Sequence, residues 1–201
     1  MNTLHEGPPD VLAALRAATK DQHALLDARL PIAAAAPTLA AYQQHLTALR
    51  AWLLPMRDWL ARFDDGPQAG GLVSVSARLA LIDADLADPT LARAPADAPV
   101  PAPEAPASDA PAYRWGACYV IEGSQLGGAV LYRRLGVALQ PHPLRYLSAD
   151  SVAPGPRWAG FIAGLRQGVR EPAAIAAACA GARDAFDAIL AIHGLAPAHQ
   201  P

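Results

Sequence analysis

Leucine and alanine recur at steps of three and four along almost the whole chain, and alternating β-branched runs are nearly absent. That period is the signature of amphipathic helices. A first helix is predicted over 10–29, opened by Pro8-Pro9-Asp10 and closed by Pro31. Along it Leu12, Leu15, Thr19, Gln22, His23, Leu26 and Leu30 share one stripe, which puts His23 on or beside the buried face. Arg16 and Lys20 lie on a neighbouring stripe, one and two turns before His23. Further helices are predicted over 38–63, bent at Pro55, and over 73–87, 112–139, 156–169 and 172–193. The stretch 88–111 is dense in proline, alanine and acidic residues and reads as an exposed, mobile loop. Six helices with mostly short connections predict an all-α antiparallel bundle. One domain over 1–201 is expected, with 1–9 as a flexible N-terminus.

Composition narrows the class. Of the 201 residues 53% are apolar, but 48 are alanine, so larger apolar side chains make up roughly 29%. That is still above the level that signals disorder. A net charge of −2 argues against a protein that tracks phosphates along nucleic acid. No run approaches the roughly 18 apolar residues of a membrane span. The first ten residues lack the basic-then-apolar pattern of a secretory signal, so a cytoplasmic location is expected. Cys118 and Cys179 are the only cysteines and have no CxxC spacing, which fits reduced thiols better than a disulfide scaffold. Fifteen arginines to one lysine carries no functional reading.

The fourth helix contains the unusual string Tyr119-Val120-Ile121-Glu122-Gly123-Ser124-Gln125-Leu126-Gly127-Gly128-Ala129-Val130-Leu131. Each glycine in a helix interior costs about 1 kcal/mol relative to alanine. In a chain a quarter alanine, three glycines in six positions point to a need for the absence of a Cβ. A kink, a closely packed helix or a flat ligand against the backbone would each supply that need. Two motif readings fail. Gly123 and Gly128 have phosphate-loop spacing, but Ala129 and Val130 replace the required Lys and Ser/Thr. Ser124 lacks the glycine two residues earlier that a nucleophile elbow needs. The histidines, at 5, 23, 45, 142, 193 and 199, include no pair three or four apart, so a zinc or di-iron site has no support. His23 is either a hydrogen-bonded core histidine or the single neutral imidazole that a five-coordinate haem iron requires.

Two strings taken together resemble the haem oxygenase family. Leu15-Arg16-Ala17-Ala18-Thr19-Lys20-Asp21-Gln22-His23 is similar to its proximal helix, and Tyr119 to Leu131, with Glu-Gly-Ser-x-Leu-Gly-Gly, is similar to the distal helix of its bacterial, biliverdin-producing members. Their order and their separation of about a hundred residues also match. The resemblance implies a haem held between a proximal N-terminal helix and a glycine-kinked distal helix. His23 would be the iron ligand. Arg16, Thr19, Lys20 and Tyr119 would bind the cofactor, the cations and the phenol near the propionates, with Arg157 and Arg166 as further candidates. Gly123, Ser124, Gly127 and Gly128 would form the catalytic distal face. The implied reaction is oxidative cleavage of haem to biliverdin, carbon monoxide and ferrous iron, with haem as both substrate and cofactor. Electrons would come from an external reductase or ferredoxin, and a phytochrome is a candidate recipient of biliverdin. One departure stands out: many members carry aspartate after the first distal glycine, where this chain has Ser124, which brings no charge and a shorter reach. The competing class is a haem or tetrapyrrole binding protein without catalysis on the same fold.

Overall fold

Proline and threonine set the helix starts. In this computed structural model, which describes residues 10–91, 103, 105–148 and 154–195, the helices are α1 (Val11–Arg29), α2 (Leu39–Leu60), α3 (Val75–Leu86), α4 (Pro111–Leu135), α5 (Arg145–Ser148), α6 (Pro154–Gly168) and α7 (Pro172–Ile192). Two 3-10 stretches, Pro31–Ala33 and Gly66–Gly71, complete the regular structure, and no strand occurs among the described residues. Thr38 caps α2 by accepting the Ala41 amide at 3.2 Å. Pro111 and Pro172 open α4 and α7, where a missing amide donor costs nothing. Asp10 precedes α1, but its carboxylate reaches Arg166 of α6 at 3.0 and 3.1 Å instead of capping its own helix.

All six predicted helices are present, and α2 continues through Pro55. One boundary differs from expectation, and one element is extra. α4 stops at Leu135, short of Pro141, which cannot donate, and the segment that follows buries Leu139, His142 and Leu144. α5 is an extra single helical turn inside the α4–α6 connection. Residues 1–9, 92–102 and 104, on which the expected flexible N-terminus and half of the expected mobile loop fall, lie outside the described residues. The last part of that loop is tied down. The Asp109 carboxylate accepts from Trp59 Nε1 at 2.8 Å and Arg62 at 2.6 Å, and its carbonyl accepts from Arg114 at 3.1 Å.

α7 is the spine of the bundle and packs against α1, α2 and α4. Its alanines let α4 come close: a Cβ on Gly116 would stand 1.8 Å from the Ala178 carbonyl oxygen, and one on Gly181 would stand 2.1 Å from that of Tyr113. Helix–helix approach therefore falls on Gly116 and Gly181, away from the three glycines of the Glu-Gly-Ser-x-Leu-Gly-Gly string. Behind α4, the fully buried Asp85 of α3 accepts from the Tyr42 hydroxyl at 2.6 Å and from the Arg145 and Tyr146 amides, each at 2.9 Å. Gln125 Nε2 donates to the Tyr146 hydroxyl at 2.8 Å. This chain of bonds fixes the rotation of α4 about its own axis, and with it the direction in which Gly123 and Gly127 face.

Candidate functional site

One stripe of α1 carries Arg16, Thr19, Lys20, His23, Ala24 and Asp27, spaced at steps of about a helical turn. With Tyr119 of α4 they line an open cleft of about 360 Å³. That volume lies within the roughly 300–1,000 Å³ range of small-molecule sites. The buried stripe beside it, Val11, Leu12, Leu15, Thr19 and Leu26, anchors α1 to the core. Gln22 fixes the rotation of α1 by donating to Asp187 at 2.7 Å and to the Arg183 carbonyl at 3.1 Å, both on α7.

His23 sits beside the buried stripe and faces outward, its side chain 64% exposed. It is therefore no core histidine. Its Nδ1 lies 3.0 Å from Asp27 Oδ2, one turn further along, and its ring meets Phe186 of α7 at 5.9 Å between centroids. With Nδ1 donating to the carboxylate, Nε2 is the nitrogen left to ligate. The Asp27 partner stands at i, i+4 spacing, which is the signal in the sequence that marks it.

Arg16 and Lys20 are exposed, and the Arg16 guanidinium and the Tyr119 phenol line the same cleft from opposite helices. Burial pushes the Tyr119 phenol above its ordinary value, Arg16 opposing, so at neutral pH the phenol keeps its proton and can donate. Thr19 is buried and its hydroxyl donates to the Leu15 carbonyl at 2.9 Å, so it supplies cleft surface but no spare donor.

The structure gathers Arg16, Thr19, Lys20, His23 and Tyr119 into that cleft, and the four distal residues are not in its lining. Gly123, Ser124, Gly127 and Gly128 lie further along α4, one uninterrupted helix throughout. A Cβ on Gly127 would meet nothing within 4 Å, and one on Gly123 would touch only Trp158, at 3.8 Å. These two share a bare face. Gly128 is buried and turned towards Leu147, at 3.6 Å, on the core side. The Ser124 hydroxyl donates to the Ile121 carbonyl at 2.8 Å, which leaves it only acceptor capacity.

Neither remaining arginine faces the cleft ligands. Arg166 pairs with Asp10, and Arg157 pairs with Glu122 at 3.1 Å. Glu122 is buried and also lies 2.6 Å from the equally buried Arg78, which donates to the Ile121 carbonyl at 2.6 Å. This charged knot and Trp158 left no periodic signal in the sequence, because each joins residues far apart in the chain.

Both cysteines are buried. Burial pushes the Cys118 thiol up to about 12, so it offers no thiolate near Tyr119. Among the described residues no group of three or more His, Cys, Asp or Glu is placed to hold a bare metal ion. The polar lining of the cleft is one imidazole with its Asp27 carboxylate partner, two cations, a phenol and the committed Thr19 hydroxyl. It suits a flat ligand that carries its own metal and its own carboxylates. No helix among the described residues is long and apolar enough to cross a membrane.

Comparison with known proteins agrees with this chemistry. The family model described as heme oxygenase matches residues 10–192. The chain is similar to a curated protein named heme oxygenase from Xanthomonas campestris pv. campestris (strain 8004), 45% identical over 98 residues. That alignment covers 46% of this chain and spans about half, 54%, of the relative's length. No solved structure matches the chain.

Proposed function

The chain belongs to the haem oxygenase family, and from that premise we propose that it cleaves haem to biliverdin, carbon monoxide and ferrous iron, using dioxygen and external electrons. The observation that carries the proposal is His23: outward-facing, its Nδ1 held by Asp27, in a cleft whose other polar groups are Arg16, Lys20 and Tyr119. Bound haem would supply both the iron at which dioxygen is activated and the porphyrin that is opened.

The residues of this chain do the rest. His23 would hold the iron through Nε2, with the Asp27 carboxylate orienting the ring. A neutral imidazole would donate less electron density to that iron than a thiolate would. Arg16 and Lys20 neutralise propionates, and Tyr119 donates a hydrogen bond to one of them. Gly127 leaves α4 bare, and Gly123 beside the Trp158 indole adds no side chain of its own, so that a porphyrin face could lie close to backbone there. Ser124, its proton committed to Ile121, would offer a water only an acceptor. The electron donor is a separate reductase or ferredoxin, and a phytochrome is one recipient that would consume the product.

Hemin titration followed by turnover with reductant and oxygen tests the reading. The expected result is a histidine-ligated Soret band, abolished or shifted in His23→Ala, and then the biliverdin spectrum. Failure of the unaltered protein to bind hemin would sink it. The committed Ser124 hydroxyl favours a second reading, a haem-binding protein without catalysis, and hemin binding without biliverdin would select that reading.

A further inference from the structure

Trp158 stands beside the bare face of α4. Its Cη2 and Cζ3 lie 3.8 and 3.9 Å from where a Gly123 Cβ would be. The half-buried indole packs on the Tyr119 ring, with centroids 5.7 Å apart and planes at 43°, and stacks on Phe161 at 5.9 Å and 18°. Phe161 is fully buried and meets Trp115 at 5.3 Å. An aromatic row thus runs from the cleft wall at Tyr119 into the core. Its neighbour in the chain, Arg157, reaches both Glu122 oxygens at 3.1 and 3.3 Å, and Glu122 is held from behind by Arg78. α6 is therefore fastened to α4 at the two residues that adjoin Gly123 in space and in sequence. Displacing the indole would break the stack and drag on a buried ion pair. One turn further on, Gly127 has no neighbour within 4 Å of its bare side. The face is walled at one glycine and open at the other.

A porphyrin has four similar edges, and a pocket tells them apart only through contacts around its rim. Arg16 and Lys20 act on the edge that bears carboxylates. A rigid indole at Gly123 acts on another, by offset or edge contact with the ring. We propose that Trp158 is a specificity-determining residue: a fixed aromatic wall that sets the in-plane seating of haem, and so selects the meso carbon presented at the open side near Gly127. The proposal rests on the haem-oxygenase reading above.

The test uses the full chain loaded with hemin. Proton NMR of the cyanide complex reads the seating from the hemin methyl resonances, independently of turnover, and chromatography of the biliverdin isomers reads its consequence. The unaltered protein is expected to show one dominant seating. Trp158→Leu should lower the ratio of major to minor seating by roughly three- to tenfold, the effect of one lost aromatic contact. Trp158→Phe, which keeps a ring in the row and guards against loss of folding, should fall between the two. Methyl patterns identical in all three proteins would overturn the role of Trp158 and leave the haem-oxygenase reading intact. No hemin uptake by the unaltered protein would overturn both.

Discussion

Asp27 Oδ2 lies 3.0 Å from His23 Nδ1, one turn further along the exposed face of α1, and neither side chain is buried. A salt-screened surface pair of this kind contributes little to folding. Its value lies in ligation, because a carboxylate on the far nitrogen orients the ring. Asp27→Ala is therefore expected to leave the thermal midpoint of the hemin-free protein unchanged, while hemin affinity falls by about tenfold or more. His23→Ala should lose the histidine-type Soret band altogether. Unaltered hemin affinity in Asp27→Ala would show that the contact is incidental.

The glycines of α4 separate into two kinds, and their alanine variants should behave oppositely. Gly116→Ala drives a methyl group into the Ala178 carbonyl, which has no way to yield without moving α7. A loss of roughly 3 kcal/mol or more is expected in urea unfolding, at the top of the overpacking range. Gly127→Ala meets open space and should stabilise the hemin-free helix by up to about 1 kcal/mol. Gly127→Leu should also fold, yet obstruct hemin or its bound oxygen. Normal biliverdin formation in that leucine variant would contradict the placement of the distal face.

This division shows where the sequence was legible. Helix positions were, because proline, threonine and glycine act locally and the leucine period persists through each element. The α1 stripe was legible for the same reason, and it carried Arg16, Lys20 and His23 to one side together. Three glycines in an alanine background singled out α4. Which of them stand on an open face was not legible: that depends on Gln125 bonding Tyr146 and on Gly116 meeting Gly181's helix, contacts that link distant parts of the chain. Trp158 and the pair of Glu122 and Arg157 were hidden for the same reason. The end of α4 was overrun because alanine and leucine continue past Gly136 with unbroken helical spacing.

Asp85 predicts the strongest single polar effect on stability. It is fully buried and accepts a hydroxyl and two amides. Burial and this carboxylate hold the Tyr42 phenol far above its ordinary range, so it remains a donor at every accessible pH. Tyr42→Phe should cost about 2 kcal/mol, the size of a hydrogen bond to a charged group. Asp85→Ala should cost more, since it strands the Tyr42 hydroxyl and both α5 amides without acceptors. Equal midpoints for the two variants in urea would mean that α5 is not anchored through Asp85.

His45 sets the direction of the acid response. Its Nδ1 is sealed without a hydrogen-bond partner, and burial lowers the ring from 6.5 to about 4, with His193 just after α7 adding to the shift. Burial pushes His193 down as well. The folded chain thus prefers neutral imidazole, whereas the unfolded chain takes up the proton near pH 6.5. Stability from this site is fully present above that pH and drains away as the pH falls towards 4. The expected loss between pH 7 and pH 5 is about 1 to 2 kcal/mol. Asp88, held down to about 2 chiefly by its hydrogen bonds to Thr90 and then by Arg145, acts in a separate, more acidic window. Urea unfolding of the unaltered protein and of His45→Leu isolates the contribution, because other groups cancel in the difference. Leucine removes the protonation without stranding a partner, so the variant should lose part of the slope below pH 6.5. Parallel stability curves for the two proteins across this range would show that His45 does not carry it.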